Sequence, residues 1–276
     1  MSENTDKALV LGAGGVVGIA WETGLLAGLA SKGVDVVSTA DLVVGSSAGA
    51  TVAAQVATTP LEKLYKDQIE GTGAPGPAID VDMGSLLGRI GQELSAEPDP
   101  VKARKSIGAM SLEKDRVPEA ERRAIIEARL ESHEWPEQLI RVTTIQADTG
   151  EFKVLDKNSG VNLVDAVAAS CAIPVVWPAV TIGGNRFYDG GFRSGTNTDV
   201  AEGYGKVLVL EVMKLPENSD VKDIGDSSQV KTISLDETSK EAIGENPLDP
   251  DASPAAAKAG YDQGVRIADE VREFWD

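Results

Sequence analysis

Residues 41–55, DLVVGSSAGATVAAQ, constrain this chain more than any other stretch. An apolar strand runs straight into Gly45-Ser46-Ser47-Ala48-Gly49 and then into small helix formers, which requires a sharp strand-to-helix turn with a serine at its apex. Glycines two positions either side of Ser47 let neighbouring elements approach closely. The arrangement makes Ser47 a candidate nucleophile. The competing reading is a tight turn whose small residues serve packing alone.

The flanking pattern supplies the context that the turn demands. A buried strand is predicted at Lys7 to Leu11, then a glycine loop, a helix from about Ile19 to Lys32 and the strand at Asp41 to Val44. That rhythm predicts an α/β chain with parallel strands. The helix after Ser47 is expected to reach about Thr58, with Pro60 starting the next one. Residues 71–78, GTGAPGPA, predict a loop. From Asp80 to about Ser132 the pattern becomes helical and charged, as in an insertion over the sheet. Within it, Lys102-Ala103-Arg104-Lys105 predicts a solvated helix face, with a lipid headgroup contact as the alternative, and Pro118 to Leu130 an amphipathic helix. A hairpin follows at Ile140 to Ala147 and Glu151 to Leu155, turning at Asp148-Thr149-Gly150. A helix at Asn162 to Ser170, a strand at Lys206 to Val212, polar loops with one short helix over 216–251, and an amphipathic helix from Ala255 to Trp275 complete the chain. The whole is expected to form one domain over residues 1–276, with the insertion at about 80–132 and the C-terminal extension at about 255–275.

Composition narrows the partners. Acidic residues outnumber basic ones by 44 to 26, and the net charge of −18 repels nucleic acid and anionic bilayers. One cysteine, Cys171, permits no intramolecular disulfide, which fits a reducing cytosol. The N-terminus lacks the basic region of a secretory signal. The longest apolar region, Leu163 to Gly184, contains Asp165, Pro174 and Pro178, and does not have the pattern of a membrane span. A cytoplasmic protein is expected, meeting lipid through transient surface contact.

Two further segments carry chemistry. ALVLGAGGVVGIAWETG places Gly12, Gly14, Gly15 and Gly18 between a strand and a helix, where backbone N–H groups can face an anion. Either a dinucleotide pyrophosphate, with Asp35 as ribose contact, or the oxyanion of a tetrahedral intermediate fits such a loop, and the loop alone does not decide. Phe187-Tyr188-Asp189-Gly190-Gly191 ends a predicted short strand with a carboxylate, which serves either a turn or proton transfer. The single histidine, His133, lies in the charged segment ESHEWPEQ, and a Ser-His-Asp triad would have to use it. With histidine set aside, Asp189 is the remaining base candidate. Cys171 is expected to be a buried small residue. Trp21, Trp135, Trp177 and Trp275 are expected to pack, with Trp177 placed to line an acyl pocket.

The order of glycine loop, G-x-S-x-G elbow and D-G-G resembles the bacterial type of the patatin-like phospholipase family. The likeness runs through ALVLGAGGVVGIAWETGLLAGL, DLVVGSSAGATVAA and DAVAASCAIPVVWPAVTIGGNRFYDGGFRSGTNTDVA, and reaches NPLDP at 246–250. It implies a three-layer α/β/α sandwich with a mostly parallel sheet, and a serine hydrolase with a Ser-Asp dyad acting on phospholipid, lysophospholipid or related acyl esters. It further implies Ser47 as nucleophile, Asp189 as general base, Gly14 and Gly15 N–H groups as the oxyanion hole, and no metal or organic cofactor. Two positions depart from the family pattern: Val17 replaces a basic residue and Ala13 replaces a loop glycine. These departures keep open a non-catalytic acyl-lipid binder, and the opening glycine loop with Asp35 keeps open a nucleotide-binding oxidoreductase.

Overall fold

The computed structural model describes residues 6–73, 82–112, 117–215, 218–225 and 228–276. The predicted loop at 74–78, the insertion's start at 80–81, residues 113–116 within it, and 216–217 and 226–227 of the predicted polar loops lie outside the described residues.

Among the described residues one eight-stranded mixed sheet organises the molecule. Its strands are β1 (Lys7–Leu11), β2 (Leu42–Gly45), β3 (Ile140–Gln146), β4 (Phe152–Leu155), β5 (Val180–Ile182), β6 (Asn185–Asp189), β7 (Lys206–Glu211) and β8 (Gln229–Ser234). They lie in the order β5-β6-β3-β2-β1-β7-β8, with β4 also paired to β3. The run β3-β2-β1-β7-β8 is parallel, whereas β4, β5 and β6 join antiparallel. The parallel strands read as near-continuous apolar runs because both of their faces are covered.

Alternation along the strands shows the two faces. Leu9, Leu11, Val43, Leu208 and Leu210 pack with α1 (Gly15–Ser31), α2 (Ala48–Val56) and the C-terminal helix α9 (Ser253–Trp275). Ala8, Val10, Leu42, Val44, Val207 and Val209 pack instead with Ala201 and Val200 from a 3-10 turn at Thr198–Ala201. Beyond them α5 (Pro100–Ser111) crosses β3 and β6, so closely that a Cβ on Gly108 would stand 2.2 Å from the Ala147 carbonyl oxygen. Helices therefore flank the sheet on both sides, giving the α/β/α layering.

Helices α1 and α9 meet through glycines on both partners. A Cβ at Gly24 would lie 2.0 Å from Ala257 O, and one at Gly264 2.4 Å from Leu25 O. Each helix spaces its glycines four apart, Gly24 with Gly28 and Gly260 with Gly264, so a smooth stripe faces a smooth stripe. Trp21 spans the seam, its indole N–H donating to Gln263 Oε1 at 3.2 Å.

Among the described residues the predicted insertion holds three helices: α4 (Met83–Ala96), α5 and α6 (Glu119–Glu127). Helix α3 (Leu61–Ile69) precedes them, and α7 (Leu163–Ser170) and α8 (Glu237–Ile243) follow. Two expectations need correction. Arg104 does not lie on a solvated face: it is buried, donating to Asp220, Asn218 and Gly150 O at 2.8–3.0 Å. Its neighbours Lys102 and Lys105 are exposed as expected. The polar region at 216–251 contains β8 as well as a helix. As an edge strand, β8 exposes most of its side chains and leaves no apolar alternation to read.

Candidate active site

Ser47 sits at the junction of β2 and α2 with φ 55° and ψ −113°, a combination that a side-chain-bearing residue adopts only when its surroundings enforce it. Those surroundings are visible. A Cβ at Gly49 would fall 2.1 Å from Leu11 O, and one at Gly45 would fall 2.6 Å from the Ala50 Cα. Both glycines are thus needed for close approach, and the turn is clamped from two sides. The Ser47 N–H donates to Ser170 Oγ at 2.9 Å, and the Cys171 thiol donates to Ser47 O at 3.2 Å.

Asp189 arrives from the end of β6, paired in register with Thr144. Its carboxylate accepts from Gly191 N–H at 2.8 Å and lines one pocket with Ser47. Asp189 is 2% exposed and Ser47 5%. Burial pushes the Asp189 carboxyl up to about 7, opposed by the hydrogen bonds from Ser47 and Gly191. A carboxylate so poised holds a proton with an affinity suited to exchange near neutral pH.

The glycine loop closes the site. Gly15 has φ +65° and begins α1, and a Cβ there would meet Pro247 O at 2.2 Å. Among the described residues the Gly14 and Gly15 N–H groups donate to no backbone acceptor, whereas Gly12, Ala13 and Val17 donate to Leu210, Gly195 and Pro247. Two free donors at a helix N-terminus next to a buried serine favour negative charge at that point. Ala13 is not among the described non-glycine residues with positive φ, so the backbone there accepts alanine without strain. Val17 is buried in the core under the sheet and lines neither pocket at Ser47.

Two pockets share Ser47. One is lined by Gly14, Asp189 and Gly191 together with Met83, Leu87, Ile173, Phe192, Met213, Leu215 and Leu248, and is mostly apolar apart from Ser47 and Asp189. The other extends past Ala48 and Cys171 to Trp177, Arg122 and Arg129. Gly15, Ile173 and Leu248 border both. Leu248 belongs to the NPLDP segment, which folds over the glycine loop through Val17 N–H to Pro247 O at 3.3 Å.

Other sequence candidates lie elsewhere. His133 is exposed, its ring nitrogens facing Glu127 O at 3.2 Å and Glu127 Oε1 at 3.6 Å, and it lines neither pocket. Asp35 accepts the Ser38 N–H at 2.9 Å in an exposed turn. Cys171 is a buried thiol whose ionisation burial disfavours. Of the tryptophans, Trp177 borders the arginine pocket, whereas Trp21 and Trp275 are core residues and Trp135 packs half-buried against Val161.

Three residues around the site escaped the sequence reading. Asn197, at φ 50°, donates its amide to Ser46 Oγ at 3.0 Å, Gly190 O at 3.1 Å and Ser194 O at 2.9 Å, joining the elbow to the loop after Asp189. It follows Asp189 in the DGGFRSGTN run, the one local cue to it. Glu22, buried in α1, accepts the Gly12 N–H at 2.8 Å, and burial raises its pKa so that it resists ionisation. Arg122 carries no local cue at all, since its partner ring, Trp177, lies 55 positions away along the chain.

The comparisons with known proteins agree with this arrangement at the level of family. The sequence profile of the patatin-like phospholipase family matches residues 9–202, a span that contains the glycine loop, the elbow and Asp189. No curated protein matches the chain. Among solved structures, VipD from Legionella pneumophila is similar at 14% identity and TM-score 0.48, over 96% of this chain and 67% of that one. The type III effector protein ExoU is similar at 20% identity and TM-score 0.40, over 97% of this chain and 54% of that one. On the profile match, the chain belongs to the patatin-like phospholipase family.

Proposed function

We propose that this protein is a serine hydrolase that cleaves fatty acyl esters of lipids through a Ser47–Asp189 dyad and an acyl-enzyme. The observation that carries the reading is that Ser47 and Asp189, both buried, line one apolar pocket together with Gly14 and Gly15, whose backbone N–H groups donate to no backbone acceptor among the described residues. A serine hydroxyl needs a base to become a nucleophile, and Asp189 is the carboxylate that shares its pocket.

In the proposed cycle Ser47 Oγ bonds to the ester carbonyl carbon as its proton passes to Asp189. The carbonyl oxygen becomes an oxyanion facing the Gly14 and Gly15 N–H groups, whose geometry is set before substrate arrives. The tetrahedral intermediate then expels the alcohol, which takes the proton from Asp189. Water repeats the sequence on the acyl-enzyme: it loses a proton to Asp189, attacks, and releases the acid as Ser47 Oγ regains the proton. Met83, Leu87, Phe192, Met213 and Leu215 line the pocket that would take the acyl chain. The backbone donors do not depend on side-chain identity, so Val17 and Ala13 leave this chemistry in place.

The test is turnover of short and long acyl esters by Ser47→Ala. Loss of about 10³-fold or more with an unchanged melting curve is expected. Undiminished turnover would reject the nucleophile.

A further inference from the structure

The second pocket at Ser47 holds an unusual buried cation. Arg122 is 4% exposed, and its Nε and Nη1 are buried with no hydrogen-bond partner. Its guanidinium carbon lies 3.8 Å from the Trp177 ring centroid, so the fork is held flat against the indole. Arg129, 8% exposed, lines the same pocket. Among the described residues no carboxylate forms an ion pair with Arg122, although acidic residues exceed basic ones by 18 in the chain. Its neighbour Arg123 shows the contrast, pairing with Asp165 at 2.7 Å and Glu127 at 3.1 Å and fixing α6 against α7. Glu119 secures the other end of α6, accepting from Thr181 N–H at 2.6 Å.

Burying a guanidinium without a counter-charge is costly, and a second arginine beside it adds repulsion. Burial and Arg129 together lower the Arg122 pKa to about 9. A rigid helix that holds an unpaired planar donor against a pocket shared with the nucleophile has the features of a site awaiting an anion.

The geometry points to a phosphate subsite formed by Arg122 with Arg129, which selects esters whose alcohol side carries a phosphate. This assignment rests on the hydrolase reading of Ser47. It places the acyl chain in the apolar pocket and the phosphate on the α6 side, with the scissile carbonyl between them at Ser47. It also locates two substrate-facing cations, Arg122 on α6 and Arg129 just past its C-terminal end, in a sequence whose position 17 is apolar.

Binding to Ser47→Ala protein, measured by calorimetry, tests the subsite without requiring turnover. The probes are a non-hydrolysable lysophosphatidyl ether lipid, the same ether lipid without its phosphate, and inorganic phosphate. The phosphate-bearing ether lipid should bind at least tenfold more tightly than the phosphate-free one, and Arg122→Gln should remove most of that difference, with Arg122→Lys retaining part of it. Equal affinity for the two lipids, or a preference that survives Arg122→Gln, would overturn the subsite. Inorganic phosphate binding that Arg122→Gln abolishes, without any preference between the lipids, would assign the site to free phosphate and overturn its role in substrate choice. In the wild-type enzyme, Arg122→Gln should lower the ratio of kcat/KM for phosphate-bearing over neutral esters at least tenfold. Failure of the hydrolase reading would show differently, as absence of ester turnover in wild-type protein. Removing a buried unpaired charge should raise Tm in Arg122→Gln, so a folding defect would itself contradict the account.

Discussion

Asp189 has two measurable consequences at the scale of the single residue. In the proposed role of base it acts when ionised, so kcat/KM should rise about tenfold per pH unit below about 7 and level off above it. The same raised pKa affects stability with the opposite sign. The folded state holds this proton more tightly than the unfolded chain does, so the residue's contribution is full below about pH 4 and is lost as pH rises through about 7. Asp189→Asn keeps an acceptor for Gly191 and removes the charge. It should abolish turnover while raising stability at pH 8 by on the order of 2–4 kcal/mol, measured by denaturant titration at pH 5 and pH 8. Equal stability of variant and wild type at both pH values would contradict a buried, proton-hungry carboxylate. Ser47 and Gly15 stand out in the sequence because their positive φ belongs to tight turns that leave short glycine-rich motifs, and Asp189 because it heads the D-G-G run. Arg122 and Glu22 do not, because their importance comes from burial and from partners that spacing does not reveal.

Among the elements, the join between elbow and base loop is the more informative. Asn197 reaches Ser46 from the elbow and Gly190 from the base loop, while Arg193 donates to Asn197 Oδ1 at 3.0 Å and Asp199 Oδ1 at 2.9 Å. Asn197→Ala should cost about 2–4 kcal/mol of stability through several buried groups left unsatisfied. It should also lower kcat more than it raises KM, because Ser47 and Asp189 would lose their fixed separation; steady-state kinetics beside a melting curve checks both. The strands β1, β2, β3 and β7 of the parallel run were readable from their apolar pattern, as were the α1 and α9 helices. The edge strand β8 was not, since its exposed face mixes polar and apolar residues without the period of a covered strand. Arg104 shows the opposite limit: a cluster of four residues containing three cations looks uniform in sequence, yet the helix turn sends Lys102 and Lys105 outward and Arg104 inward to Asp220.

Over the whole molecule, the C-terminal helix locks the α1 end of the sheet. Glycine stripes on α1 and α9 allow backbone contact along their length, and α1 begins at Gly15 in the site. Gly260→Leu would drive a side chain into the Trp21 carbonyl, which a Cβ alone would approach to 2.3 Å. A loss of about 3 kcal/mol or more is expected in a thermal melt, and a variant as stable as wild type would mean that the helices do not pack at this distance. Among the described residues no helix is long and apolar enough to cross a membrane. The large-scale architecture was legible because three motifs in fixed order specify one strand-turn-helix scaffold. The cationic pocket was not, because it forms only when α6, the Trp177 loop and the elbow come together.

The central claim is that Ser47 is a nucleophile activated in place, and the most direct measurement is reaction of the purified protein with a fluorophosphonate probe followed by peptide mapping. The account predicts covalent label on Ser47, faster as pH rises through about 7, and absent from Ser47→Ala and Asp189→Asn. Folded protein that takes no label, or takes it on another serine, would contradict the account.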